Sequence, residues 1–242
     1  MRGDILFEPA ALGSITLRNR LIRAGTSESM AHPDSGEMTS PLLDLYERLA
    51  AGGIGGIITG HLYVEPRGKY ARGQGGIHDD DVISGLRRLV ERVHGHGAVI
   101  FAQLAHAGSQ SRVPGLHPIA PSPVPNPLTG QEVAASSSGE IGEVIESFSA
   151  AARRAVTAGF DGVHIHGANG YLITEFSSPV TNRRNDSWGG DAHRRGEFAR
   201  AVVEAVRGSV PADFPVTMKM GMVDAVDGGL GLNESVPRAG EL

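Results

Sequence analysis

Three side chains able to do chemistry crowd one short stretch, His166-Gly-Ala-Asn169-Gly-Tyr171. A histidine and an asparagine three residues later can both donate hydrogen bonds to one carbonyl or phenolate oxygen, and a nearby tyrosine can supply a proton. The same residues also describe an Asn-Gly turn beside a satisfied histidine, so spacing alone leaves both readings open. His164 and His166 alternate along an apolar run and would share one face of a strand. Such a pair could ligate a metal in a hydrolytic barrel, but His-x-His alone is weak evidence and acidic ligands at comparable positions are scarce.

Other candidates are spread along the chain. Gln103 offers a donor and an acceptor to an amide-like heterocycle edge, or serves the fold alone. The small residues at Ala24-Gly25-Thr26 and around Gly60 would let a flat ring approach backbone. Lys219, on an otherwise apolar run, either meets an anionic partner or snorkels to water.

The elements that must position these groups follow from the apolar pattern. Arg20–Ala24, Gly56–Thr59, Ala98–Leu104, Gly162–His166 and Val216–Met220 read as buried parallel strands, near-continuously apolar and rich in Val and Ile. Between them, apolar residues at three and four spacing mark helices around Leu42–Leu49, Val82–Val93, Ile141–Val156 and Ala199–Val206. A glycine soon after each of the last two helices reads as a stop signal. Pro237 sits where a fifth helix should run. The Pro/Ser/Gly-rich connection Ala105–Ser138 is too long for a plain βα loop and reads either as disordered surface or, as preferred here, as an ordered lid or hairpin over a site.

Strands alternating with helices leave two architectures, a doubly wound sheet or a (β/α)8 barrel. No GxGxxG follows the first strand, where Arg23-Ala-Gly-Thr-Ser stands instead, so the barrel is favoured. In a barrel the C-terminal strand ends carry the site, and here those ends bring Thr26, His61, Gln103, His106, His164, His166 and Lys219 into reach of one pocket. The expected fold class is α/β: a partial (β/α)8 TIM barrel of about five βα units, with an N-terminal extension and a long loop after strand three, forming one domain over 1–242.

Composition narrows the function classes. The 242 residues carry a net charge of −5 with Lys and Arg scattered, which argues against nucleic acid as a partner. No cysteine is present, excluding disulfides, thiolate metal sites and a thiol nucleophile within this chain. No apolar run approaches membrane-spanning length and the start lacks a leader pattern, so a soluble cytoplasmic protein is expected, without a membrane partner.

Several longer motifs go beyond spacing: Asn19-Arg20-Leu-Ile-Arg-Ala-Gly-Thr26, Gly52-Gly-Ile-Gly-Gly-Ile-Ile-Thr-Gly60, Ala102-Gln-Leu-Ala-His-Ala-Gly108, Ala120-Pro-Ser122, His166-Gly-Ala-Asn-Gly-Tyr-Leu172 and Ser178-Pro-Val-Thr-Asn-Arg-Arg-Asn-Asp-Ser-Trp-Gly-Gly190. On these motifs, matched nearly end to end, the chain resembles the old yellow enzyme family in its bacterial NADH:flavin oxidoreductase branch. The resemblance implies FMN at the C-terminal mouth, with Ala24, Gly25 and Thr26 beside the ring, Gly60 and Gln103 at its pyrimidine edge and Lys219 near N1 and O2. It implies that His166 and Asn169 grip the carbonyl oxygen of an activated alkene while Tyr171 protonates the α-carbon. NADH or NADPH would occupy the same place in an earlier half-reaction, giving ping-pong turnover and an ene-reductase activity on enones or other acceptors.

Departures from the family pattern are Trp188 for a Tyr, Ser109 for an Arg, and the partly kept segment Asp191–Glu197. The resemblance also implies three further strands and a phosphate site in their loops. The chain is therefore expected to be C-terminally truncated, to keep ring contacts without the phosphate anchor, and to need a homo-oligomer or a completing polypeptide. The competing readings are a non-catalytic truncated remnant and the metal-dependent hydrolytic barrel.

Overall fold

The computed structural model describes residues 5–126 and 129–242; residues 127 and 128 of the long connection lie outside it. The N-terminal extension is a hairpin of β1 (Ala10–Leu12) and β2 (Ile15–Leu17), turned at Gly13 with φ of 59°. Then follow β3 (Ile22–Arg23), α1 (Ser40–Ala51), β4 (Gly56–Tyr63), α2 (Ile83–His94), β5 (Val99–Ala105), β6 (Ile119–Ala120) and β7 (Ala134–Ala135). The chain continues through α3 (Ser138–Ala158), β8 (Gly162–Gly167), α4 (Leu172–Ser177), α5 (Ala192–Arg195), α6 (Glu197–Ser209), β9 (Val216–Met220) and α7 (Leu232–Glu241).

Local chemistry sets the helix ends. The Thr39 hydroxyl accepts from the Leu42 N–H, and Pro41 occupies the first turn of α1, where its missing N–H is harmless. Ser137 and Glu140 form a reciprocal capping box at α3, which stops at Gly159 with φ of 91°, a left-handed stop that glycine adopts without strain. Gly208, read as a stop for α6, lies inside that helix. The helix ends instead at extended Val210, because the residue before Pro211 is sterically disfavoured in the helical region.

β3, β4, β5, β8 and β9 pair in that order, all parallel, in a curled half-barrel sheet. Its outer face is apolar: Ile100, Ala102 and Leu104 of β5 and Val163 and Ile165 of β8 join one core with Leu86 and Leu89 of α2 and Val144 and Phe148 of α3. Burying each of the larger of these side chains contributes about 1.5–3 kcal/mol. Because strand side chains alternate, Gln103, His164 and His166 point to the opposite, inner face. β3 and β9 are the sheet edges.

Two further expectations are corrected. The second strand does not end at Thr59 but continues to Tyr63, through a register shift between Ile58 and His61. Pro237 does not prevent a helix: α7 runs through it. Pro237 cannot donate to the carbonyl four residues back. Tertiary bonds hold the segment instead, from Arg195 to Glu234 at 2.6 Å, Arg200 to Glu241 at 2.9 Å and the Ser235 hydroxyl to the Met222 carbonyl at 2.8 Å. The described part of the long connection holds a 3-10 turn at Gly108–Gln110 and the β6–β7 pair, which is parallel rather than a hairpin.

Arg18 ties the extension to the bottom of the sheet, donating to the carbonyls of Ile54 at 3.0 Å, His96 at 2.6 Å and Ala50 at 2.8 Å. Those carbonyls belong to the ends of two helices and a strand entry; the Ala50 carbonyl also accepts from the Gly53 N–H at 3.1 Å, and one guanidinium joins all three segments. Arg18→Ala should lower unfolding free energy in urea by about 2 kcal/mol or more, since charge-assisted bonds contribute roughly 1.5–3 kcal/mol each. Arg18→Lys should recover little of it, because a point ammonium cannot span three carbonyls in fixed directions.

Candidate active site

Register builds the site. Gln103 of β5 stands opposite His164 of β8, which stands opposite Thr217 of β9, and one step on His166 stands opposite Lys219. These polar residues therefore share the inner face of the half-barrel near its C-terminal end. The His164 Nδ1 and Thr217 hydroxyl are 2.9 Å apart. Burial and the Lys219 charge push His164 down to about 4. Among the described residues no group of three or more His, Asp or Glu side chains is arranged to hold a metal ion.

His166 is 3% exposed, and neither ring nitrogen has a hydrogen-bond partner. Burial, with the nearby His61, Lys219 and His164, pushes its pKa down to about 3, so the imidazole is neutral across ordinary pH. An orphaned buried donor or acceptor costs about 1–3 kcal/mol, so this ring is an unsatisfied polar group among the described residues. Around it stand His61, Tyr171 and Tyr70, with ring centres 6.3 Å from His166 to His61, 5.1 Å from His166 to Tyr171 and 5.8 Å from Tyr70 to Tyr171. The Tyr171 hydroxyl lies 3.2 Å from His61 Nε2, and burial pushes the phenol up to about 12.

Asn169 sits in the left-handed region at φ of 61°, exposed at the turn between β8 and α4. Gln110 from the loop after β5 holds that turn, its amide donating to the carbonyls of Asn169 at 3.0 Å and Gly170 at 2.8 Å. Asn169 and Lys219 line one cavity of about 710 Å3, which also touches Thr174 and Glu175. The Thr174 hydroxyl is buried without a partner. His166 and Tyr171 are not in that lining; they belong to the adjoining ring cluster, joined to Asn169 through the chain.

The remaining sequence candidates meet at the ends of β3, β4 and β5. A Cβ on Gly25 would lie 2.6 Å from the Gln103 amide nitrogen and 2.7 Å from the Thr59 carbonyl, so backbone packs directly on the Gln103 side chain. A Cβ on Gly60 would lie 2.7 Å from the Thr26 carbonyl and would strike the Glu28 carboxylate. Ala24 and Thr26 are exposed, the Thr26 hydroxyl donating to the Ala24 carbonyl at 3.2 Å. His106, also at a strand end, is turned away to Glu65 at 2.9 Å.

Glu28, Tyr46, Tyr70 and Glu175 went unmarked in the sequence. Glu28 takes bonds from Arg23 and from the Tyr46 hydroxyl, both at 2.8 Å, and Tyr46 in turn accepts from the Gly60 N–H at 2.7 Å. Only tertiary contact reveals that chain. Glu175 had one signal, the departure at Ser109. It is 3% exposed and accepts from the Ser109 N–H at 3.1 and 3.2 Å and from the Ser109 hydroxyl. No cation pairs with it among the described residues, and burial pushes its pKa up to about 8 against the pull of Ser109.

Because the folded value lies above the ordinary 4.5, this proton stabilises the fold fully below pH 4.5 and progressively less as pH rises to about 8. Glu175→Gln should therefore gain stability over the wild-type chain across that window, at about 1.4 kcal/mol per pH unit, in chemical denaturation at several pH values. A difference independent of pH would show that the carboxyl ionises normally.

Residues 5–241 match the family model of the NADH:flavin oxidoreductase / NADH oxidase family. A metal reductase of Desulforamulus reducens is 42% identical over 227 residues, covering 93% of this chain and 34% of that protein. An NADPH dehydrogenase of Geobacillus thermodenitrificans is 37% identical over 233 residues, covering 96% of this chain and 68% of that protein. The solved old yellow enzyme homologue from Zymomonas mobilis superposes with a TM-score of 0.89 at 29% identity, covering 98% of this chain and 69% of that one. The chain thus spans about a third of the first relative and about two thirds of the other two. With the match running through both the half-barrel and its inner polar face, the chain belongs to the NADH:flavin oxidoreductase / NADH oxidase family.

Proposed function

We propose that this chain supplies the ring-binding and acceptor-binding part of an FMN-dependent oxidoreductase that takes reducing equivalents from NADH or NADPH and passes them to an activated C=C bond or another small acceptor. In this reading residues 1–242 form one domain contributing about five units of an eight-unit barrel. The open edges of β3 and β9 support that reading, since unpaired parallel strands call for neighbours. The observation that carries the functional proposal is the buried His166 ring, whose two nitrogens have no partner at the C-terminal end of β8.

The residues present fit a flavin. Backbone at Gly25 packs flat on the Gln103 amide, and Lys219 on the inner face is exposed and free of an ion pair among the described residues. Ala24, Gly25, Thr26, Gly60 and Gln103 would hold the ring, and Lys219 would place a positive charge at its pyrimidine side. Bound FMN supplies the hydride chemistry.

The chain's own groups do the rest. His166, neutral, can donate one hydrogen bond to a substrate carbonyl oxygen, and Asn169 at the neighbouring turn can donate a second. Electron density drawn onto that oxygen makes the β-carbon a better hydride acceptor. Tyr171 keeps its proton through neutral pH and holds it at Oη, beside His61 Nε2, ready for the substrate α-carbon. The ring cluster excludes water from the imidazole.

In a version of the chain completed with a C-terminal third from the family and loaded with FMN, His166→Ala with Asn169→Ala should abolish the long-wavelength charge-transfer band formed with para-substituted phenols. It should also slow enone reduction by roughly a hundredfold or more, the scale of losing oxyanion donors. Phenol binding that survives the double substitution would sink the oxygen-clamp assignment.

A further inference from the structure

A second cavity, of about 410 Å3, lies apart from the residues assigned to flavin and acceptor. Tyr63 at the end of β4, Lys69 and Arg72 in the following loop, His78 before α2, and Pro114 and Leu116 from the long connection line it. Lys69 is only 5% exposed. Its ammonium donates to the carbonyls of Pro33 at 2.7 Å and Asp34 at 3.0 Å and lies 5.2 Å from the Tyr63 ring centre. Those two bonds leave one of its three donors, and neither carbonyl neutralises the charge. The carboxylate of Asp34 is engaged with Arg72 at 3.2 Å instead.

His78 stacks on Tyr63 with ring centres 4.5 Å apart; its Nδ1 is buried against Gly76, which leaves the other ring nitrogen to meet a ligand. Two cations, one of them buried, therefore line a cavity beside the His78 ring, and Asp34, the acidic residue of its lining, is already paired. Arg72 is 69% exposed, and its surface pair with Asp34 contributes at most about 1 kcal/mol, so the guanidinium is free to turn inward.

We propose that this cavity is a binding site for a small phosphate-bearing anion, held by Lys69, Arg72 and His78. The planar guanidinium fork, the ammonium point charge and an imidazole N–H match the tetrahedral oxygens of a phosphomonoester. The volume exceeds what a bare phosphate fills, and Tyr63, Pro114 and Leu116 offer an apolar wall for an attached organic group. Tyr70, between Lys69 and Arg72, belongs to the ring cluster around Tyr171, so one loop serves both places.

Calorimetric titration of the full chain at low salt with inorganic phosphate, adenosine 5′-monophosphate and adenosine tests the site. Saturable binding of both anions and none of adenosine is expected. A tighter monophosphate would identify the phosphomonoester as the occupant, and equal affinities would identify phosphate itself. Arg72→Ala, at an exposed position with no part in the core, should weaken both about tenfold, the size of one charge-assisted contact. Burial holds the His78 pKa below its ordinary value, with Asp79 raising it and Arg154 and Lys69 lowering it, and a bound anion should raise it in an NMR titration. No saturable phosphate binding up to about 10 mM, a range in which even weak charge-assisted sites fill, would overturn the proposal. So would wild-type affinity in Arg72→Ala, or adenosine binding as well as its monophosphate.

Discussion

The parallel pairing of β8 with β5 on one side and β9 on the other is the constraint on which the site depends. A shift of one residue in either pairing would turn His164 and His166 to the helix-facing side and bring Val163 and Ile165 inward. The register is held by the outer face, where Val163 and Ile165 interlock with apolar side chains from α2, α3 and β5. Packing on one side of the sheet thus fixes chemistry on the other. The polar inner face costs little in the half-barrel, because His164 finds Thr217, Gln103 packs on Gly25 and Lys219 is exposed, while the buried His166 ring has no partner among the described residues.

The second layer of positioning comes from the loop after β5. Its Gln110 amide, the Ser109 N–H and the His106 carbonyl reach the Asn169 turn, Glu175 and the Leu172 N–H respectively. The Gln110 contact holds the Asn169 turn, whose left-handed backbone asparagine adopts more readily than most residues, and the other two fix the start of α4 beside it. Ser109 gives Glu175 neutral donors, and no cation pairs with that buried carboxyl among the described residues. This keeps the loop and α4 joined while making the joint sensitive to pH.

What the sequence by itself determined was whatever depends on local periodicity or on a short run of residues. The five parallel strands, four of the helices, the N-terminal extension and the family motifs were legible because alternation, three-and-four spacing and capping chemistry act over a few residues. The exceptions were of the same origin: Gly208 read as a stop and Pro237 as a breaker by local rule, yet Pro211 and the ion pairs of Arg195 and Arg200 decided those helices. Only the tertiary structure decided which polar groups meet. The Glu28–Tyr46–Gly60 chain, the His61–Tyr171 contact, the isolation of Glu175 and the cavity around Lys69 each join residues far apart in the chain. Their pairing follows from strand order and loop packing, which long-range burial sets and which no local pattern encodes.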